Sequence, residues 1–308
     1  MRFVIIKDGG RSPNDVEMRG VKAVINVLNE LGEVRVFDFN LSLIEKLKKD
    51  DVIFNFAEGK RQDFLQAKIT AIAEAFGMRF IGSPAYTHYL CLDKVATKAL
   101  LKAYGILTPS GAVFDGKEFV GDIPAPPIMV KPVAEGWGIG IESDSLCEDV
   151  ETAKIVARKR FEKFKESILL EKYIQGTELT VGLVGNSENL EVLPPLEIDF
   201  SNLPQGVERY YSQKVKEDYG AQTIYKCPAP LDYELLKKVK EVARKTFNFV
   251  KAKDFLRVDM RISGNQIYVI EVNSMPGLVP EYSDLSKMAT AMSKDYRWLI
   301  EKIIGVRH

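Results

Sequence analysis

Two strands in the last third of the chain carry residues that could do chemistry together. Phe255-Leu256-Arg257-Val258-Asp259-Met260-Arg261 and Ile267-Tyr268-Val269-Ile270-Glu271-Val272-Asn273 flank Ser263-Gly264-Asn265-Gln266, which reads as a hairpin loop. Apolar residues alternate with Arg257, Asp259, Glu271 and Asn273. One face is therefore expected to be buried and the other to collect two acids, an Arg and an Asn. Two carboxylates close together on a sheet face repel each other unless a cation lies between them. The pattern fits a Mg²⁺ site, and Mg²⁺ usually arrives with nucleotide phosphates. The bland alternative is a half-exposed amphipathic hairpin with solvated charges.

Register decides between the two readings. Facing residues of an antiparallel pair have a constant sum of numbers. A two-residue turn at Gly264-Asn265 puts Asp259 and Glu271 on opposite faces, whereas a three-residue loop from Gly264 to Gln266 sets Asp259 opposite Glu271 and Arg257 opposite Asn273. The metal reading thus predicts an odd-length loop.

The elements that must carry this hairpin read as an α/β protein. A chain of 308 residues can bury large cores and suggests two or three domains. Lys plus Arg and Asp plus Glu balance at 43 each, so nothing global points to nucleic acid or an anionic membrane. No apolar run reaches transmembrane length. Residues 1–7 are too short for a signal peptide and read as a first strand. Cys91, Cys147 and Cys227 form no metal-type spacing, which suits a reduced, cytoplasmic setting. With only His88 and His308, a His-based triad or zinc site is not expected.

Strands are predicted at 2–6, 34–38, 51–55 and 79–82, with helices at 15–31, 42–49 and 63–76 between them. Alternating β and α units favour a parallel, doubly wound N-terminal domain. The first loop, Gly9-Gly10-Arg11-Ser12, has no G-x-G-x-x-G, so a nicotinamide-binding reading is weak. Further on come a helix at 93–104, strands at 128–132, 168–174 and 178–184, and helices at 148–164, 232–249 and 284–304.

Three more groups have chemical potential. Lys131 precedes a loop with glycines at 136, 138 and 140, and glycine lets backbone N–H groups approach phosphate. The terminal Gly-Lys-Ser/Thr of a Walker A sequence is missing, and a plain turn is the alternative. Glu171 and Glu178 bracket a Gln175-Gly176-Thr177 turn. The Glu171–Ile174 backbone could frame an adenine edge and Glu178 could hold ribose hydroxyls; the alternative is a pair of exposed strand-end acids. Lys214 and Lys216 lie in a long polar stretch that reads as a lid or a disordered excursion.

In combined order, these residues resemble the ATP-grasp superfamily, and within it the D-alanine–D-alanine ligase family. The most specific stretch is Arg257-Val258-Asp259 through Glu271-Val272-Asn273-Ser274-Met275-Pro276-Gly277. Leu92-Asp93-Lys94-Val95-Ala96-Thr97-Lys98, Glu171-Lys172-Tyr173-Ile174-Gln175-Gly176-Thr177-Glu178, Gly82-Ser83-Pro84 and Phe54-Asn55-Phe56-Ala57-Glu58-Gly59 are also similar to that family. The resemblance implies an α/β ATP-grasp fold with three parts: an N-terminal α/β substrate domain at 1–90, a central subdomain with the glycine loop at 91–175, and a C-terminal subdomain at 176–308. It implies a carboxylate–amine ligase that uses ATP and two Mg²⁺ ions, or Mn²⁺, to join two amino acids. By the same resemblance Lys94, Lys131, Gly136 and Gly138 meet the ATP phosphates, while Glu171, Tyr173 and Ile174 frame the adenine and Glu178 the ribose. Asp259, Glu271 and Asn273 hold metal, Lys216 is the lid lysine with Lys214 as fallback, and Arg257 stabilises the oxyanion. Gly277 and Ser283 lie where the second amino acid's carboxylate binds, and a homodimer is the family's usual state. An ATP-grasp phosphotransferase or a non-catalytic nucleotide-binding protein is the alternative.

The chain departs from the family on the amino-acid side. Asn14 stands where a Glu is usual, Trp137 where a Ser is usual, and Glu217 where a Tyr is usual. Ala57-Glu58-Gly59 replaces the usual His-Gly. The resemblance therefore leaves the joined molecules open.

Overall fold

A computed structural model describes residues 2–10, 12, 15–59, 64–136 and 138–305. Asn14 and Trp137, two of the substrate-side departures, lie outside the described residues.

The N-terminal sheet is parallel, with strands in the order Glu33–Asp38, Arg2–Lys7, Asp51–Asn55, Arg79–Ile81. Its strands alternate between two cores. Phe3, Ile5, Val52 and Phe54 pack with Val21, Val24 and Leu28 of helix Val16–Asn29. Val4, Ile6 and Ile53 pack with Leu65, Ile69 and Ala73 of helix Leu65–Ala75. Burial on both faces is why the two central strands, Arg2–Lys7 and Asp51–Asn55, read as continuous apolar runs, and the doubly wound expectation holds.

Two antiparallel sheets follow. In the first the order is Phe119–Val120, Gly111–Phe114, Ile168–Lys172, Ile128–Pro132, Leu146–Cys147, backed by helix Val150–Phe164. In the second, Ile224–Lys226, Leu196–Asp199, Thr177–Val184, Phe255–Ser263 and Gln266–Asn273 run in order, and Glu191–Val192 pairs with Thr177–Val184. Helix Tyr233–Phe249 covers one face of that sheet together with Leu101 from helix Lys94–Ala103. Among the described residues no helix is long and apolar enough to cross a membrane.

Local differences from the sequence reading have physical causes. The helix expected at 42–49 is a 3₁₀ turn, Leu41–Lys46; of residues 42–46 only Leu43 is buried, so little packing favours a longer helix. The helix expected at 284–304 is two helices, Asp284–Ala291 and Tyr296–Ile304. Ser293 takes a left-handed φ of 57°, and Asp295 restarts the helix by accepting a bond from the Trp298 N–H. Helix Ala85–Leu92 and several short edge strands carry too few periodic residues to be read from the sequence.

Gly176 turns the chain between the two antiparallel sheets at φ 140°, and a Cβ there would lie 1.8 Å from the Ile262 carbonyl oxygen. Gly176→Ala is expected to destabilise the protein by about 3 kcal/mol through backbone clash and strain, read as a lower urea midpoint.

Candidate active site

The hairpin achieves its register in an unexpected way. Ser263 pairs with Gln266 across a two-residue turn, which by itself would separate Asp259 from Glu271. The predicted odd-length loop is therefore wrong. A β-bulge corrects the phase instead: Met260 faces Val269, but Asp259 faces Glu271 and Arg257 faces Asn273. The extra residue is Ile270. A bulge inserts one residue on one strand and flips the faces beyond it. The predicted facing pairs thus stand, for a different reason.

Asp259 is held by three donors: Thr180 Oγ1 at 2.7 Å, Asn273 Nδ2 at 2.9 Å, and Arg257 through Nε at 2.9 Å and Nη2 at 3.0 Å. Burial alone would raise its pKa, but the Arg257 charge and these bonds hold it below the usual carboxylate range. Arg257 also lies 3.5 Å from Asp284. Burial opposes its charge, yet these carboxylates push its pKa above the ordinary arginine value.

A cavity of about 850 Å³ opens over this face. Lys94, Gly136, Lys216, Arg257, Glu271, Asn273, Gly277 and Ser283 line it. Helix Lys94–Ala103 is capped by Asp93, which accepts from the Val95 and Ala96 N–H groups, and so delivers Lys94 to within 3.5 Å of Glu271. Lys216 comes from the short helix Gln213–Asp218 and sits 4.5 Å above the Tyr211 ring. Burial first, and then Arg257, lowers its pKa. Of the two lysines of this segment, Lys216 lines the cavity and Lys214 does not.

The remaining predicted residues form a filled cluster beside the cavity. Glu171 is buried rather than an exposed strand-end acid; it pairs with Lys131 at 2.5 Å and Lys98 at 3.0 Å. Arg261 joins Glu178, donates to the Ile174 carbonyl at 3.0 Å, and stacks 4.5 Å over the Tyr173 ring. One guanidinium therefore organises three of the four groups expected around adenosine.

The glycine loop and the lid touch. The Tyr210 hydroxyl donates to the Glu142 carbonyl at 2.7 Å. Gly138 has φ 82°, and a Cβ there would lie 2.9 Å from the Gln213 nitrogen. Arg160, fully buried, donates to the Gly140 carbonyl at 3.1 Å and pairs with Glu142 at 3.2 Å, fixing the loop from below.

At the other end of the cavity, Ser283 Oγ accepts the Val279 N–H at 2.8 Å. Lys287 sits 3.8 Å over the Tyr225 ring and 3.4 Å from Asp284. His88 Nδ1 shares a 2.8 Å hydrogen bond with Ser274 Oγ, steadying the turn after Asn273.

Comparison with known proteins agrees with this arrangement. Residues 117–305 match the family described as D-ala D-ala ligase C-terminus. The D-alanine–D-alanine ligase of Thermotoga petrophila is 31% identical, over 99% of this chain and 96% of its own. The chain belongs to the D-alanine–D-alanine ligase family. Its fold is correspondingly the ATP-grasp fold. The crystal structure of the Bacillus anthracis D-alanine–D-alanine ligase superposes with a TM-score of 0.79 at 25% identity, covering 99% of this chain and 96% of that one. The same ligase complexed with ATP superposes at 0.77 and 24% identity, over the same shares.

Four residues that make these contacts had no role in the sequence reading, although Lys98 lies within the Leu92–Lys98 motif. Arg261 was visible at the end of the acidic strand but had no role there. Lys98 lies four residues after Lys94 and three before the buried Leu101, so a lysine on an inward helix face was a readable signal. Tyr210 and Arg160 had none, because their partners on the glycine loop are distant in sequence.

Two outcomes follow from these contacts. Gly138→Ala should push the lid off the glycine loop and raise amide exchange over residues 210–219. Tyr210→Phe should do so more mildly, through loss of one hydrogen bond worth about 1 kcal/mol. For His88, burial lowers the pKa from 6.5 to about 4, with a bond to the Ser83 backbone opposing. The unfolded chain takes up this proton near pH 6.5 and the folded chain only near pH 4. The stability at stake is therefore complete above pH 6.5 and is lost as pH falls toward 4, by about 3 kcal/mol in the limit. Urea melts of His88→Gln should show a correspondingly flatter profile than the parent across that window.

Proposed function

We propose that the protein is an ATP-dependent carboxylate–amine ligase of the D-alanine–D-alanine ligase type, joining two amino acids with release of ADP and phosphate. The observation that carries this reading is the bulged hairpin: it turns Arg257, Asp259, Glu271 and Asn273 to one face, beside a cavity entered by Lys94 and Lys216. Family membership over the whole chain supports the same activity.

The donor set fits a hard divalent cation. Asp259 and Glu271 offer carboxylate oxygens on facing positions, and the Asn273 amide turns its nitrogen toward Asp259, which frees its oxygen for a ligand. Too few protein oxygens are present for a complete cage, as expected where phosphate oxygens and water complete the shell. Two Mg²⁺ ions, with Mn²⁺ as a substitute, would be held by Asp259, Glu271 and Asn273. When bound, they would neutralise phosphate charge.

The chain's own residues do the rest. Lys94, Lys131 and the Gly136–Gly138 backbone would orient the phosphates, and Glu171, Tyr173, Ile174 and Glu178 the adenosine. One substrate's carboxylate oxygen attacks the γ-phosphorus and ADP leaves, giving an acyl phosphate. The second substrate's amine attacks the carbonyl carbon, expels inorganic phosphate and loses a proton. No side-chain nucleophile is required; catalysis rests on positioning and on cations facing the developing charge. Arg257 would meet the oxyanion, for which it must share or release Asp259. Lys216, arriving with the lid, would meet the transferring phosphoryl group while the lid excludes water. Gly277 and Ser283 would hold the second carboxylate. Division into 1–90, 91–175 and 176–308 is supported by the three sheets, and a homodimer remains part of this reading, measurable by light scattering.

ADP release measured against a panel of amino acids, with mass detection of the product, tests the proposal. Amine-dependent release with a condensed product is expected. A phosphorylated acceptor, or tight nucleotide binding without turnover, would overturn it. Efficient D-alanyl-D-alanine synthesis with no other substrate would remove the significance of Glu217 and Glu58. Asp259→Asn and Glu271→Gln should each lower Mg²⁺-dependent turnover by about two orders of magnitude or more while the folded protein's circular dichroism stays unchanged. Activity retained in both variants would sink the metal assignment.

A further inference from the structure

Lys98 is buried, has no place in the chemistry above, and touches two parts of the site at once. Its Nζ donates to the Ile270 carbonyl at 2.8 Å and pairs with Glu171 at 3.0 Å. Ile270 is the bulged residue, the one that brings Asp259 and Glu271 face to face. A bulged residue has no ladder partner, and a backbone carbonyl left without a donor costs stability. On the other side of the bulge, the Val269 N–H donates to the Leu107 carbonyl at 2.9 Å. The bulge is therefore tied at two consecutive residues by the 94–107 segment.

The placement of Lys98 follows from its helix. Lys94 and Lys98 are four residues apart on helix Lys94–Ala103 and share a face. Lys94 reaches Glu271 and Lys98 reaches the carbonyl of residue 270, so one helix face addresses consecutive residues of the hairpin. Lys131 meets Glu171 Oε1 at 2.5 Å and Lys98 lies 3.0 Å from Oε2, so the two lysines address different oxygens of one carboxylate. The same Lys98 ammonium also donates to the backbone, which joins the bulge to Glu171.

We propose that Lys98 is a positioning residue for the metal site: its bond to the Ile270 carbonyl holds the β-bulge that sets Asp259 opposite Glu271, and its pairing with Glu171 keys that geometry to the strand expected to frame adenine. This rests on the metal reading of Asp259 and Glu271. Removing a group that orients a ligand from behind typically costs 10–100-fold in metal affinity. A purely structural lysine would change stability alone.

Mn²⁺ titrated into the protein with a non-hydrolysable ATP analogue, with free Mn²⁺ followed by electron paramagnetic resonance, separates these cases without relying on turnover. Lys98→Met leaves Glu171 Oε1 paired with Lys131, so the buried carboxylate keeps one cation although Oε2 loses its own. It should weaken Mn²⁺ binding on the order of tenfold and raise amide exchange at 269–273. Lys98→Arg keeps a donor and should restore part of the affinity. Lys98→Gln, too short for the span, carries the same expectation as Lys98→Met and serves where that variant is insoluble. A folded Lys98→Met or Lys98→Gln protein with parental Mn²⁺ affinity and hairpin exchange overturns the proposal, provided Glu271→Gln has lost the metal. If Glu271→Gln binds Mn²⁺ as the parent does, the metal reading falls and this proposal with it.

Discussion

Two carboxylates facing each other across a sheet cannot coexist there without compensation, and the rest of this site can be understood as that compensation. Asp259 is charged because Arg257, Thr180 and Asn273 all donate to it, and Glu271 faces Lys94. Arg257 in turn needs Asp284, because one buried guanidinium against one carboxylate would leave donors unused. Alternating anions and cations thus run from the hairpin to the start of the Asp284–Ala291 helix. The arrangement has no room for neutral substitution at one member without stranding a charge at the next.

The same reasoning explains why the residues proposed to hold nucleotide and those proposed to meet the amino acids separate in character. Glu171, Lys131, Lys98, Glu178 and Arg261 are buried or nearly so and are ion-paired with one another. Their geometry is fixed before any ligand arrives, which lowers the reorganisation required during reaction. Lys216, Glu217, Lys287 and Tyr282 instead line open space on lid and helix-terminal segments. Loops that tolerate exchange are where specificity changes without loss of the scaffold, and the departures at Glu58 and Glu217 lie on that side.

Much of this was legible in the residues. The parallel sheet, the helix of Lys94 and the acidic hairpin follow from periodicity and caps. The hairpin loop did not, since a turn can be read locally while a bulge is a relation between strands. A trace of it was nevertheless present. Ile267 and Val269 are buried on odd numbers and Val272 on an even one, so the apolar phase changes across Val269-Ile270. Strict alternation would have excluded two adjacent apolar residues at that point. Arg261 and Tyr210 were out of reach for a different reason. Their partners are carbonyls and acids tens of residues away, and single-chain spacing carries no information about such meetings.

The helices that end the described chain have a consequence for how the protein is made. Leu285, Met288, Leu299, Ile300 and Ile303 belong to the same core as Phe3, Ile5, Val24 and Leu28 of the first domain. During synthesis the strand and helix of residues 2–29 emerge long before helices Asp284–Ala291 and Tyr296–Ile304, which share their core. Until residues 284–304 have left the ribosome, that sheet face holds apolar groups against water, where a nascent chain is most prone to wrong association. The parallel sheet is thus translated well before its core can be completed.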